Sequence, residues 1–104
     1  MSNSRVTSTW QTPSMPPKPP VISDAWDLIT GDRAEAYGPW SENSRVLAER
    51  WSVRLNMDVT PCQATLMMVD LKLMRLEFDP AHRDSIVDAI GYLALLGNLV
   101  DQGV

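Results

Sequence analysis

Apolar positions follow a helical rhythm from Val21 to the end of the chain. Ser23 and Asp24 open a short segment in which Ala25, Trp26, Leu28 and Ile29 are apolar. Gly31 stands where a left-handed residue would close it, which predicts a first helix over 24–30. Tyr37-Gly38-Pro39 interrupts the pattern, and Ser41 then reads as the cap of a second helix over 42–55. There Leu47, Trp51 and Leu55 recur every fourth residue, with Glu42, Glu49, Arg50 and Arg54 at polar positions. The strongest start signal is Thr60-Pro61-Cys62-Gln63: a capping threonine, a proline at the first helical position, and a glutamine placed to complete a capping box. A third helix is expected over 61–78 and stops at Asp79-Pro80, because proline disfavours helical geometry in the residue before it. A fourth, over 83–101, carries Ile86, Val87, Ile90, Leu93, Leu95, Leu96, Leu99 and Val100 to a stop at Gly103. No stretch alternates with period two, so the pattern predicts an all-α fold, a four-helix antiparallel bundle.

The first twenty residues break with this pattern. They hold five of the eight prolines among Ser and Thr, and cannot build a core alone. Pro16-Pro17-Lys18-Pro19-Pro20 favours the polyproline II form. Residues 1–20 therefore read as a semi-rigid arm anchored by Trp10, or as a ligand for an aromatic groove, with a helical domain over 21–104.

Composition narrows the chemistry. One cysteine, Cys62, and one histidine, His82, exclude a disulfide framework, a cysteine-rich zinc site and a His-pair metalloprotease. A net charge of −4 argues against general nucleic-acid binding, which needs a basic face. No apolar run is long enough to span a membrane and no signal peptide is visible, so a cytoplasmic location is expected. Two helices that are apolar on nearly every side are too much for a four-helix monomer of about 80 residues, and predict a homo-oligomer.

Placing the third helix on a wheel at about 100° per residue sets Gln63, Asp70 and Glu77 on one stripe and Thr65, Lys72 and Arg75 near the opposite one. Met67, Leu71, Met74 and Phe78 form one apolar flank between them, and Leu66, Val69, Leu73 and Leu76 the other. Solvent accounts for the acidic stripe. Lys72 and Arg75, three residues apart with packed stems, suit two donors converging on one anion. On the fourth helix Asp84 and Asp88 share a face with Gly91, Tyr92 and Leu95. Asp84 is also what a helix dipole would favour in a first turn, whereas Asp88 lies among Val87, Ile86 and Ile90 and needs a cation: Lys72, Arg75, Arg83 or a metal. A buried ion-pair lattice accounts for these residues; a phosphate or magnesium site, with Asp84 and Asp88 as metal ligands and catalytic carboxylates, is the sharper reading. Tyr92 lies one turn deeper, and Tyr37, Trp40 or Trp51 would stack on a base at the other end. His82 reads as a capping or surface residue and Cys62 as a small buried filler. Gly91 and Gly97 read as points of close helix approach.

Three runs carry a resemblance: Tyr37-Gly38-Pro39-Trp40-x-Glu42-Asn43; Leu66-Met67-Met68-Val69-x-Leu71-Lys72-x-x-Arg75-Leu76; and His82-Arg83-Asp84-Ser85-x-Val87-Asp88-x-x-Gly91-Tyr92. Over residues 28–100 the chain resembles small bacteriophage and prophage proteins of unassigned function. More distantly, Asp84-x-x-x-Asp88 with the following Gly-Tyr-Leu is similar to the last carboxylate helix of MazG-like all-α nucleoside triphosphate pyrophosphatases. That likeness implies an oligomeric bundle that uses magnesium to release monophosphate and pyrophosphate. It is incomplete: the superfamily's Glu-Glu-x-x-Glu helix is replaced by one offering Asp70 and Glu77, with Lys72 and Arg75 between. Two acids with two bases read more naturally as a nucleotide-binding or sequestering site than as a hydrolase. The expected ligand-binding residues are Lys72, Arg75, Arg83, Tyr92, Tyr37, Trp40 and Asn43. A pyrophosphohydrolase and a non-enzymatic interaction module that blocks a host enzyme are the rival readings.

Overall fold

The structure is a computed structural model and describes residues 17–31 and 38–104. These form four helices, α1 (Pro20–Thr30), α2 (Trp40–Leu55), α3 (Pro61–Phe78) and α4 (Arg83–Asp101), and no strand is present among them. The readings placed on the arm up to residue 16 and on Tyr37 fall outside the described residues.

The two later helices have their expected bounds because their ends are written in local chemistry. Thr60 Oγ1 accepts from the Gln63 N–H at 3.1 Å and Gln63 Oε1 accepts from the Thr60 N–H at 2.9 Å, completing the capping box that opens α3. His82 is the residue before α4, and its Nδ1 lies 2.7 Å from the Ser85 hydroxyl rather than on a backbone N–H. After α4, Gly103 takes φ +76°, as the expected stop requires.

The first two helices start earlier than expected. Helix α1 begins at Pro20, not at residue 24, because a proline at the first helical position has its φ preset and gives up only an N–H that has no partner there. Ser23 and Asp24 therefore lie inside the helix. Gly31 closes α1 in an extended conformation, φ −87° and ψ −159°, with its N–H on the Asp27 carbonyl at 2.7 Å, so its left-handed role is corrected. Helix α2 begins at Trp40 behind Pro39, which places Ser41 within the helix instead of at its cap. At the other end Asn56 is left-handed, φ 54° and ψ 46°. Ser52 ties the following connection down: its hydroxyl donates to the Ala48 carbonyl at 2.7 Å and accepts from the Val59 N–H at 2.8 Å.

Helices α3 and α4 pack along each other; α2 packs on α3 and α1 on α4. Among the described residues four of the seven buried apolar side chains are alanines, Ala25, Ala48, Ala64 and Ala89, joined by Val69, Val87 and Leu99. Small residues let the helix axes come close, but they remove little apolar area from water. Gly91 contributes to this closeness, since a Cβ there would stand 3.2 Å from Ile29 Cγ2. Gly97 does not: it is exposed and nothing lies within 4 Å of the position its Cβ would take. None of the described helices is long and apolar enough to cross a membrane.

Candidate functional site

The helix order leaves a gap between α1 and α2, and the α3–α4 pair underlies it. A cavity of about 570 Å³ occupies this gap, within the range of small-molecule sites. Leu28 and Ile29 line it from α1, Trp40, Asn43, Val46 and Leu47 from α2, Lys72 from α3, and Asp88, Gly91, Tyr92 and Leu95 from α4. Gly38 and Pro39 complete the rim.

Lys72, Asp88 and Trp40 in this wall are each held by a polar contact. Lys72 Nζ lies 3.0 Å from Asp88 Oδ2, with the two side chains 13% and 23% exposed, so the pair sits in the wall and not on the outer surface. Of the cations expected for Asp88, the structure places Lys72 beside it. The Trp40 indole N–H donates to Thr65 Oγ1 at 2.9 Å, and the Thr65 hydroxyl donates in turn to the Pro61 carbonyl at 2.8 Å. Thr65 is completely buried, so this relay fixes the indole plane. Trp40 then meets Tyr92 with ring centroids 5.3 Å apart and planes at 59°, a tilted arrangement favoured by the ring quadrupoles. The result is an aromatic corner at one side of an otherwise apolar cavity and a charged pair in the same wall.

Five of the expected site residues thus come together: Lys72, Asp88, Tyr92, Trp40 and Asn43. Three do not. Arg75 is exposed on α3, about 60° around the helix from Lys72, and lines no part of the cavity. Asp84 is exposed one turn before Asp88 and is likewise absent from the wall, and among the described residues no ion pair joins it to Arg75. Arg83 instead pairs with Asp24 of α1, with both side chains about half exposed. Trp51 also lies away from the cavity.

Thr65 was legible only as a member of the Lys72 stripe, seven residues earlier. The contribution of Leu28, Ile29, Val46 and Leu47 had no signal beyond ordinary helix amphipathy. Elsewhere, hydrogen bonding to Glu42, followed by the charges of Glu42 and Glu49, raises the Arg45 pKa; all three side chains are more than half exposed and outside the cavity.

The described residues of the cavity offer few oxygen donors to a magnesium ion. Among the described residues no three His, Cys, Asp or Glu side chains cluster in a way that could hold a metal. Among the described residues lining the cavity the one carboxylate, Asp88, carries an ammonium on Oδ2, and a divalent cation beside it would meet the Lys72 charge.

Residues 20–100 match a family model described as a domain of unknown function, DUF6378. The chain belongs to this family. It is 32% identical over 77 residues to the Gene 55 protein of Mycobacterium phage L5, covering 73% of this chain and 49% of that protein. With the Gene 55 protein of Mycobacterium phage D29 it shares 27% identity over 84 residues, 81% of this chain and 56% of that one. The chain therefore matches about half the length of these phage relatives. No solved structure matches it. The matched span contains α1 to α3, α4 up to its penultimate residue and the whole described cavity wall, so the likeness to phage proteins of unassigned function holds.

Proposed function

We propose that this DUF6378 protein binds a nucleotide in the cavity between α1 and α2, without hydrolysing it, and so sequesters it in the host cytoplasm. The observation that carries this reading is the pairing, in one cavity wall, of an aromatic corner with a cation held by a single displaceable partner. Trp40 and Tyr92 offer ring faces to a base, and stacking tolerates any base. Asn43 has both donor and acceptor for a base edge. Lys72 supplies the charge for a phosphate oxygen, and binding an anion there shifts its hydrogen bond from Asp88 to the ligand. Hydrolysis needs carboxylates to hold metal and activate water, and among the described residues of the cavity there is one, Asp88, paired with Lys72. We further take the helices to form an antiparallel bundle that associates with further copies.

The test is incubation of the protein with nucleoside triphosphates and cyclic nucleotides, with and without magnesium, followed by thermal melts and analysis of the nucleotides after heat denaturation. Recovery of an intact nucleotide released only on denaturation, with a raised melting temperature, supports binding. Magnesium-dependent appearance of monophosphate and pyrophosphate makes the protein a pyrophosphohydrolase instead. No thermal shift with any nucleotide leaves Lys72–Asp88 as a structural ion pair.

A further inference from the structure

Helix α3 shows the reverse of its cavity side to solvent, and that side has two apolar flanks about a polar stripe. Leu66, Met67, Leu71, Leu73 and Met74 are each 39% to 49% exposed, and Phe78 is 86% exposed. On residues of roughly 200 Å² each, this leaves about 600 Å² of one helix uncovered, at the upper end of the largest patch a monomer tolerates. Adding the exposed ends of Gln63, Asp70 and Glu77 brings the face near the roughly 800 Å² per partner of a standard interface.

The arrangement within this face identifies its occupant. Leu66 and Leu73 are seven residues apart on one flank; Met67 and Met74 are seven apart on the other; Gln63, Asp70 and Glu77 run between them at the same interval. A seven-residue repeat keeps its side chains on one face along a packed helix pair. A two-fold axis through Asp70, perpendicular to two antiparallel α3 helices, maps each flank onto the same flank of the other copy. It sets Leu66 beside Leu73 of the second copy, Met67 beside Met74, and the Gln63 amide beside the Glu77 carboxylate. Between Gln63 and Glu77 the face is thus complementary to itself except at its centre, where two Asp70 carboxylates meet; Phe78 lies beyond the paired span.

We infer that a second copy of this chain covers the face, as an antiparallel α3–α3 dimer with Asp70 at the two-fold axis. This interface lies opposite the cavity side of α3 and does not depend on what the cavity binds. The opposed Asp70 charges limit its affinity, and the leucine and methionine flanks supply its driving force.

Sedimentation of the full-length protein over a concentration series tests the inference, together with three variants. Wild type is expected to dimerise reversibly. Asp70→Asn is expected to lower the dimer dissociation constant by about five- to tenfold by removing like charges. Leu73→Glu is expected to weaken the dimer about 100-fold by placing a charge in the apolar flank. Circular dichroism checks that it folds, and Asp70→Cys in a Cys62→Ser background gives a readout independent of that. Residue 70 is exposed, and on mild oxidation a covalent dimer should form through that cysteine alone. A monomer at every concentration means that something other than a second copy covers the face, and overturns the proposal. A dimer that ignores Asp70→Asn and Leu73→Glu and does not cross-link through residue 70 overturns it as well.

Discussion

Replacing Lys72 by methionine keeps the apolar stem and removes the charge, leaving Asp88 in the cavity wall without its cation. The cost depends on how far water screens the pair. Exposed ion pairs contribute about 0–1 kcal/mol, and breaking a fully buried one costs about 3–5 kcal/mol. At 13% and 23% exposure the Lys72–Asp88 pair lies between these limits, nearer the buried one, so Lys72→Met should destabilise by about 2–3 kcal/mol. For a domain of this size that is a fall in Tm of about 10–20 °C, read by circular dichroism at neutral pH. The Arg83–Asp24 pair is the internal control: with side chains 50% and 47% exposed, Arg83→Met should cost under about 0.5 kcal/mol. Adding Asp88→Asn to Lys72→Met should recover a large part of the loss, since no unpaired charge then remains. Equal losses for Lys72→Met and Arg83→Met, or no recovery in the double variant, would refute the placement of the pair in a water-poor wall.

Thr65→Val removes the acceptor of the Trp40 indole and leaves that N–H without its buried partner; a loss of about 1–3 kcal/mol and altered tryptophan fluorescence are expected. Gly97→Ala, with open space at the new Cβ, should stabilise α4 by about 0.5–1 kcal/mol in a chemical denaturation curve. Gly91→Ala meets Ile29 at 3.2 Å, so it should gain less than Gly97→Ala or lose stability.

The sequence announces an element clearly where its boundary is local chemistry. Thr60-Pro61-Cys62-Gln63 and Asp79-Pro80 delimit α3 to the residue, because each signal satisfies or denies particular backbone groups. Ser23-Asp24 and Ser41 misdirect for the same reason: all are good caps, but a proline upstream, Pro20 or Pro39, lets the helix begin before them. Within the site, the Lys72–Asp88 pair is legible from register across two neighbouring helices. Arg75 is not separable from Lys72 by sequence, since 60° on a wheel is within its tolerance, yet in the packed structure that rotation carries the side chain from cavity to solvent. Asp84 shares a face with Asp88 but not a depth, and depth along a helix depends on where the flanking helix α1 crosses. The approach of α1 and α2 around the cavity is tertiary information, and single-helix periodicity contains none of it.

The central claim is that Lys72 receives a nucleotide phosphate in exchange for Asp88, and the sign of one substitution tests it. Calorimetric titration of a nucleoside triphosphate into wild type and Asp88→Asn, in the absence of magnesium, should show binding that is at least as tight in the variant. The competing carboxylate is gone, while Asn can still accept from the lysine. Weaker binding in Asp88→Asn, together with loss of a magnesium-dependent cleavage present in wild type, would contradict the account and make Asp88 a metal ligand instead.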